Sequence, residues 1–295
     1  MNINDKIYDN IVDHMTDVRL YEEGVQIQGR RSLKRHRKNL RDLLRGDIRA
    51  DVTKEVSRYG KELNSNLTNS VKEFSATQLD FQADNLYKET RKFYKTSRPR
   101  TKQLLAEVTG PNIKGPKSIS NNVKNISSGE LVRIQQKVKF GLANGQSQNQ
   151  IIGEVMKTTK ITEHQARTLT RTSITSTQTL AVQKTLEANK DLIKGYMFTA
   201  ILDSRTSPIC SHHNGKVYEV DDKRYTPPLH WNCRSSMVPV LKSKEELLES
   251  DSTRVKKKEL QKVKPERLNG VQPKRESYGA WLQRQTFDVR KKLLG

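Results

Sequence analysis

Between residues 5 and 97 apolar positions recur at helical spacing with little turn chemistry between them, so the pattern predicts helices through the first third of the chain. Leu33, Leu40, Leu44 and Ile48 form one stripe. Arg30, Arg31, Lys34, Arg35, Arg37, Lys38, Arg41 and Arg45 fill the remaining faces. A second stretch interleaves Phe81, Tyr87, Phe93 and Tyr94 with cations; these rings either pack a helix face or stack on bases. Residues 97–128 are rich in Pro, Gly, Ser and Asn and read as a linker. Its Gly110 and Gly115 sit at the spacing of a phosphate-binding loop, but Pro116 breaks that pattern and removes a backbone donor.

Three hydroxyl residues with Glu or Gln three places on predict helix starts: Ser127 with Glu130, Ser147 with Gln150 and Thr162 with Gln165. Asn144-Gly145 ends the first of these helices, and the last runs over about 163–189. Its many Thr and Ser residues weaken it intrinsically, so packing must hold it. After Gly195 the period becomes extended. Residues 196–202, 217–220 and 237–241 read as strands, Asn214-Gly215 as a hairpin turn, and the chain from Ser243 as a basic helix, a broken tail and a terminal amphipathic segment over 278–294.

Both cysteines and three of the six histidines fall between Cys210 and Cys233. If His213 is a ligand, the pattern is C-x2-H followed by H-x2-C (Cys210, His213, His230, Cys233), with His212 as the alternative, and two such pairs suit tetrahedral zinc. The competing reading makes Cys210 and Cys233 plain buried thiols and His230 a hydrogen-bonded loop residue. A sheet this short buries little, so a structural zinc, worth about 10–16 kcal/mol in small metal peptides, would decide whether it folds. The fold class expected is mainly α with a small C-terminal α+β element, a short β-hairpin sheet carrying a zinc knuckle.

Charge narrows the partners. Lys and Arg number 55 against 33 Asp and Glu, a net +22, with 33% hydrophobic and 6% aromatic residues. That surplus favours a polyanion, with double-stranded DNA first, through the basic helix at Arg30–Arg45. The same polarity predicts small cores and long exposed helices. No apolar run reaches the ~18 residues of a membrane span and no signal peptide is evident, so neither a membrane nor a small-molecule substrate is expected. The two cysteines, placed among histidines, suit a reducing compartment, a cytoplasm at least when the protein is made.

The motif order resembles the phage head morphogenesis family, the minor head or capsid proteins of the Mu F type. The matching residues are Arg171-Thr172 on a helix, Asp203-Ser204-Arg205-Thr206-Ser207-Pro208-Ile209-Cys210, then Asn214-Gly215-Lys216-Val217-Tyr218. Next comes Pro227-Pro228-Leu229-His230-Trp231-Asn232-Cys233-Arg234-Ser235, with a tail signature at Tyr278-Gly279-Ala280-Trp281-Leu282 and Gln285. The resemblance covers 131–295 and none of the N-terminal third. It divides the chain into a basic helical region (1–97), a linker (98–127), a head-morphogenesis domain with the knuckle (128–242) and a basic tail with a terminal helix (243–295).

The resemblance implies a non-catalytic minor capsid protein of a tailed bacteriophage. Such a protein lies inside the virion head near the portal, meets portal and other head proteins and packaged DNA, and is linked to DNA retention or ejection. Family members often carry cysteines where this chain has Ser207 and Ser235, so the metal has either been lost or passed partly to His212 or His213. Asp203 and Arg205 read as an ion pair or turn pair, since no oriented nucleophile and base accompany them. Two rival readings stand. One is a metal-dependent HNH-like nuclease built on His212, His213, Asn214, His230 and Cys233; the other is a sequence-neutral DNA-binding protein outside any capsid.

Overall fold

The computed structural model describes residues 1–100 and 118–271, with 102, 104, 107, 283, 286 and 287 as isolated positions. The glycine-rich loop at 110–117, the tail signature at 278–285 and the terminal segment at 278–294 therefore lie outside the described residues, apart from those isolated positions. Helix α1 (Ile3–Gly46) and α2 (Thr53–Thr90) realise the predicted N-terminal helices. Asp47 and Asp51 separate them, each accepting from the amide two residues on, Arg49 and Thr53 at 2.8 and 2.9 Å. The rings of the second basic stretch mostly pack. Phe93 and Tyr94 are buried, Phe81 stacks on His14 at 3.5 Å, and Tyr87 alone is exposed, beside Arg91 and Arg98.

Helix α3 (Ile119–Ala143) begins ahead of the expected start at Ser127. Ser118 is the cap: its hydroxyl accepts from Asn121 N at 3.0 Å, whereas Ser127 is a helix-interior residue whose hydroxyl is buried without a hydrogen-bond partner. Asn144 and Gly145 end the helix as the sequence predicts, Gly145 with φ +64°. Helix α4 (Gln148–Ala188) opens on the expected box, with Ser147 N and Gln150 Oε1 2.8 Å apart and Gln150 N reaching Ser147 Oγ at 3.4 Å.

The start expected at Thr162 does not occur, and α4 continues through it. Thr162 is fully buried and its hydroxyl accepts from Arg133 at 3.2 Å, so it is not free to cap an amide. Other threonines satisfy themselves on the preceding turn: Thr158 on Val155 O, Thr170 on Ala166 O, Thr172 on Thr168 O and Thr185 on Ala181 O, all at 2.7–3.0 Å. These bonds offset the polar cost of burying those four threonines, and packing holds the helix, as its composition requires.

The sheet joins β1 (Ile193–Thr199), β2 (Val217–Glu219) and β3 (Ser236–Leu241) in the order β2-β1-β3, all antiparallel. Gly195 faces Glu219 across β1 and β2, and a Cβ there would lie 2.2 Å from the Tyr218 carbonyl oxygen, so this register demands glycine. A short helix, α5 (Pro208–His213), fills the connection between β1 and β2. Beyond the sheet the expected basic helix is broken into α6 (Lys244–Glu249), boxed by Ser243 and Glu246, and α7 (Lys257–Gln261).

The chain forms two units that alternate along the sequence: 1–20, 72–108 and 174–295 in one, 21–71 and 109–173 in the other. In the first, Ile3, Ile7 and Ile11 of α1 join Leu186, Tyr196, Met197, Val238 and Val240 in a core beneath the sheet. In the second, Leu40, Leu44, Val56, Ile134, Ile152 and Val155 make a smaller helical core. The basic stripe of α1 is amphipathic as read: Leu33, Leu40 and Leu44 are buried, and all the cations named on it are exposed except Arg37.

Candidate metal centre and its clamp

Between β1 and β3 the chain makes a long excursion whose two ends meet. Thr206 turns the first part: its hydroxyl accepts from Asp203 N at 2.8 Å and donates to the Ile201 carbonyl. Ser207 then caps α5, its Oγ accepting from Cys210 N, with Pro208 in the first turn. This places Cys210 inward, buried with Cys233, Phe198 and Ala200. On the return, Asn232 takes a positive φ of 65° between His230 and Cys233, a conformation asparagine tolerates. Helix α4 supports the turn, Thr175 Oγ1 donating to Cys233 O at 2.8 Å.

Cys210, His230 and Cys233 bring one donor atom each to within 4.8 Å of one another, and this Cys2His cluster could hold a metal ion. Cys210 Sγ is 3.7 Å from Cys233 Sγ and 3.1 Å from His230 Nε2. His230 Nδ1 faces the Trp231 carbonyl at 2.7 Å; a carbonyl only accepts, so Nδ1 carries the proton and Nε2 turns its lone pair to the sulfurs. Ser207 Oγ, 2.7 Å from Nε2, is a further polar atom at the cluster. The hydrogen bond from Cys210 holds the Cys233 thiol down to about 6, against burial and with help from the Ser235 and Leu229 amides. The same bond, with burial, pushes Cys210 up, so the two sulfurs compete for one proton and titrate as a coupled pair.

The structure does not bring the two other histidines to this cluster. His213 Nδ1 is 2.5 Å from the Tyr218 hydroxyl and its ring lies against Tyr225 at 4.4 Å. Burial, then the neighbouring His212 and Lys216, push its pKa below the usual histidine value. His212 is exposed and paired with Lys216 at 2.7 Å. His213 stands one helical turn after Cys210 in α5, and its ring is taken up by Tyr218 of β2 and by Tyr225.

Asp203 and Arg205 are joined as expected at 3.4 Å, but the stronger partner is Arg234. Its guanidinium grips both carboxylate oxygens, at 2.7 and 2.6 Å, with the Arg234 side chain 10% exposed and that of Asp203 22%. Arg234, then the Arg205 amide, hold the Asp203 carboxyl well below the usual carboxylate range, against the opposing effect of burial. The sequence alone pairs Asp203 with its near neighbour Arg205. The signal missed there is that an arginine directly after Cys233 must find an acid if its side chain is covered.

The basic stripe of α1 lies in the other unit. There Arg35 pairs with Glu62, and Arg37 is tied to Thr159 at 2.7 Å and Glu163 at 3.0 Å. Arg30, Arg31, Lys34, Lys38, Arg41 and Arg45 have no ion-pair partner among the described residues.

Residues 132–238 match the family model described as phage Mu protein F like protein. No curated protein and no solved structure matches the chain. The matched segment contains α4, the whole sheet up to Val238, the Asp203–Arg234 clamp and the Cys2His cluster. The match spans only part of the chain, and over that segment the chain is similar to the phage Mu protein F like proteins, a phage head morphogenesis family.

Proposed function

We infer that this protein is a minor head protein of a tailed bacteriophage, made in the host cytoplasm and enclosed in the virion near the portal vertex. There it contacts portal and other head proteins and, without sequence preference, packaged DNA, in head assembly and in DNA retention or ejection. The observation that carries this reading is the matched segment, whose two motif halves close on each other through Asp203 with Arg234 and Cys210 with Cys233. The net charge of +22 supports a DNA-filled setting, since basic side chains that neutralise phosphates release counterions.

The knuckle is read as a structural zinc site held by Cys210, Cys233 and His230, with Ser207 Oγ or a water at the fourth corner. Zn–S bonds of about 2.3 Å in a tetrahedron set sulfurs about 3.8 Å apart, and the observed 3.7 Å supports this. The sulfur-to-nitrogen edge would be about 3.6 Å, so the 3.1 Å to His230 asks the ring to shift by about half an ångström. Zinc there would cross-link the excursion, and no reaction is assigned to it. The nuclease reading loses its histidine pair, because His213 is engaged by Tyr218 and His212 by Lys216.

The test is to purify virions and portal complexes from cells expressing a tagged chain. The protein should sediment with portal-containing particles at a few copies each. A chain recovered entirely free of head particles, with the portal present, would overturn the assignment. Elemental analysis of protein purified without added metal should find about one zinc per chain, lost in Cys210→Ser.

A further inference from the structure

We propose that the groove between α1 and α4, rather than the α1 helix alone, is the seat for one strand of a DNA phosphate backbone, formed by Arg30, Lys34, Arg41 and Arg45 with Lys160 and Arg167. This rests on the reading that the protein meets DNA and names the surface that does so. The groove lies within the unit of residues 21–71 and 109–173.

Three contacts show that α1 and α4 run antiparallel along it. Glu22 and Gln26 receive Arg171 and Arg167 at 2.8 and 3.3 Å, Arg37 reaches Thr159 and Glu163, and Gln148 donates to the Leu44 and Arg45 carbonyls at 2.9 and 3.1 Å. At about 100° per residue, Arg30, Lys34, Arg37, Arg41 and Arg45 form one stripe on α1, and Lys160, His164 and Arg167 one stripe on α4. Arg37, Arg41, Lys160, His164 and Arg167 line the same open groove, and Arg30 lines the pocket next to it with Arg167. Arg35 points to the opposite flank, to Glu62 on α2, and so is not part of the groove.

The charge along this groove is not compensated by the protein. Between residues 24 and 46 there are eight Lys and Arg against one acid, Asp42. On the α4 side Glu154 is taken by Lys137 and Lys157, and Glu163 by Arg37. Arg30, Lys34, Arg41, Arg45, Lys160 and Arg167 are exposed and make no ion pair among the described residues. Six cations in a row along a groove repel one another unless a polyanion lies there. From Arg30 to Arg45 the helix rises about 22 Å, the axial length of about six base pairs at 3.4 Å each. That linear, evenly spaced demand is met by a phosphodiester backbone and carries no sequence information.

The experiment measures binding of a random-sequence 30-base-pair duplex to the full chain from 50 to 200 mM salt. It compares Arg41→Gln/Lys160→Gln with Lys257→Gln/Lys258→Gln, which removes the same charge from exposed positions of α7. The groove pair should lower the slope of log K against log salt by about 1.8, so that the affinity lost across that range shrinks by about 12-fold, while the α7 pair leaves the slope near wild type. None of the four side chains makes an ion pair, so thermal melting should not fall in either variant. Equal slopes for the two variants would overturn the groove while leaving DNA contact standing. A wild-type chain with no salt-dependent binding would overturn both the groove and the DNA-contact reading. Loss of polyglutamate binding with the duplex slope kept would assign the groove to an acidic polypeptide and overturn the proposal.

Discussion

Asp203→Asn tests whether the clamp to Arg234 holds the excursion between β1 and β3. The change keeps the shape and removes the charge, leaving the Arg234 guanidinium, 10% exposed, facing a neutral amide in place of two oxygens at 2.6–2.7 Å. Breaking one partner of a fully buried ion pair costs about 3–5 kcal/mol; with Asp203 partly in water, a loss of about 2–3 kcal/mol is expected. The sign with pH follows from the depressed carboxyl. Its folded pKa lies below its unfolded one, so the clamp's contribution is complete above about pH 4 and lost as pH falls through the folded value. Wild type should therefore keep its advantage over Asp203→Asn at pH 4.5 and surrender it only in stronger acid. Hydrogen exchange should show faster opening over 200–235, with α1 and α2 unchanged. A cycle with Arg234→Gln gives the decisive comparison: if the two single losses add to the double within about 0.5 kcal/mol, the residues are not coupled and the reasoning fails.

Gly195→Ala should cost about 2–3 kcal/mol or split β2 from β1, because its Cβ would meet the Tyr218 carbonyl at 2.2 Å; normal exchange protection at Met197 and Tyr218 would contradict this. Glu130→Ala should destabilise the helical unit by about 1–3 kcal/mol in urea, since it strips His36 Nε2, itself fully buried, of a partner at 3.2 Å. Chelation should raise exchange over 196–241 while sparing residues 21–71; a uniform response along the chain would show that the knuckle is not a local staple.

The helices and strands were legible because each is written in local chemistry: apolar stripes in α1, the Ser147 box, Asn144-Gly145, and the change of period after Gly195. Ser127 and Thr162 misled for a related reason. Their boxes are locally valid, but Ser118 caps nine residues earlier and Arg133 takes the Thr162 hydroxyl, and both outcomes depend on residues outside the window. Cys210, His230 and Cys233 could be grouped from composition alone, whereas setting His213 apart needed its contacts with Tyr218 and Tyr225 to be known. His36 read as one more polar residue in a basic run. In the fold both its ring nitrogens face carboxylates, Glu55 at 2.9 Å and Glu130 at 3.2 Å, and its ring stacks on Tyr59. Partners so far along the chain leave no periodic trace.

The closures around the knuckle are nested, and their order sets what depends on what. The pair Thr199 and Ser236 ends the β1–β3 ladder, Asp203 and Arg234 lie inside it, and Cys210 and Cys233 lie inside those. The sheet therefore bears the long loop closure, and the clamp and the knuckle each restrict only the few residues left. Without the clamp, the residues between the nearest closure and the two cysteines rise from six to twelve, a loss of about 0.6 kcal/mol in closure, or about threefold in metal retention. Asp203→Asn should thus weaken metal retention against a competing chelator only slightly, while Cys210→Ser, which removes a ligand, should abolish it. If Asp203→Asn empties the site as completely as Cys210→Ser, the sheet does not preorganise the knuckle, and the clamp, not β1 and β3, is what builds it.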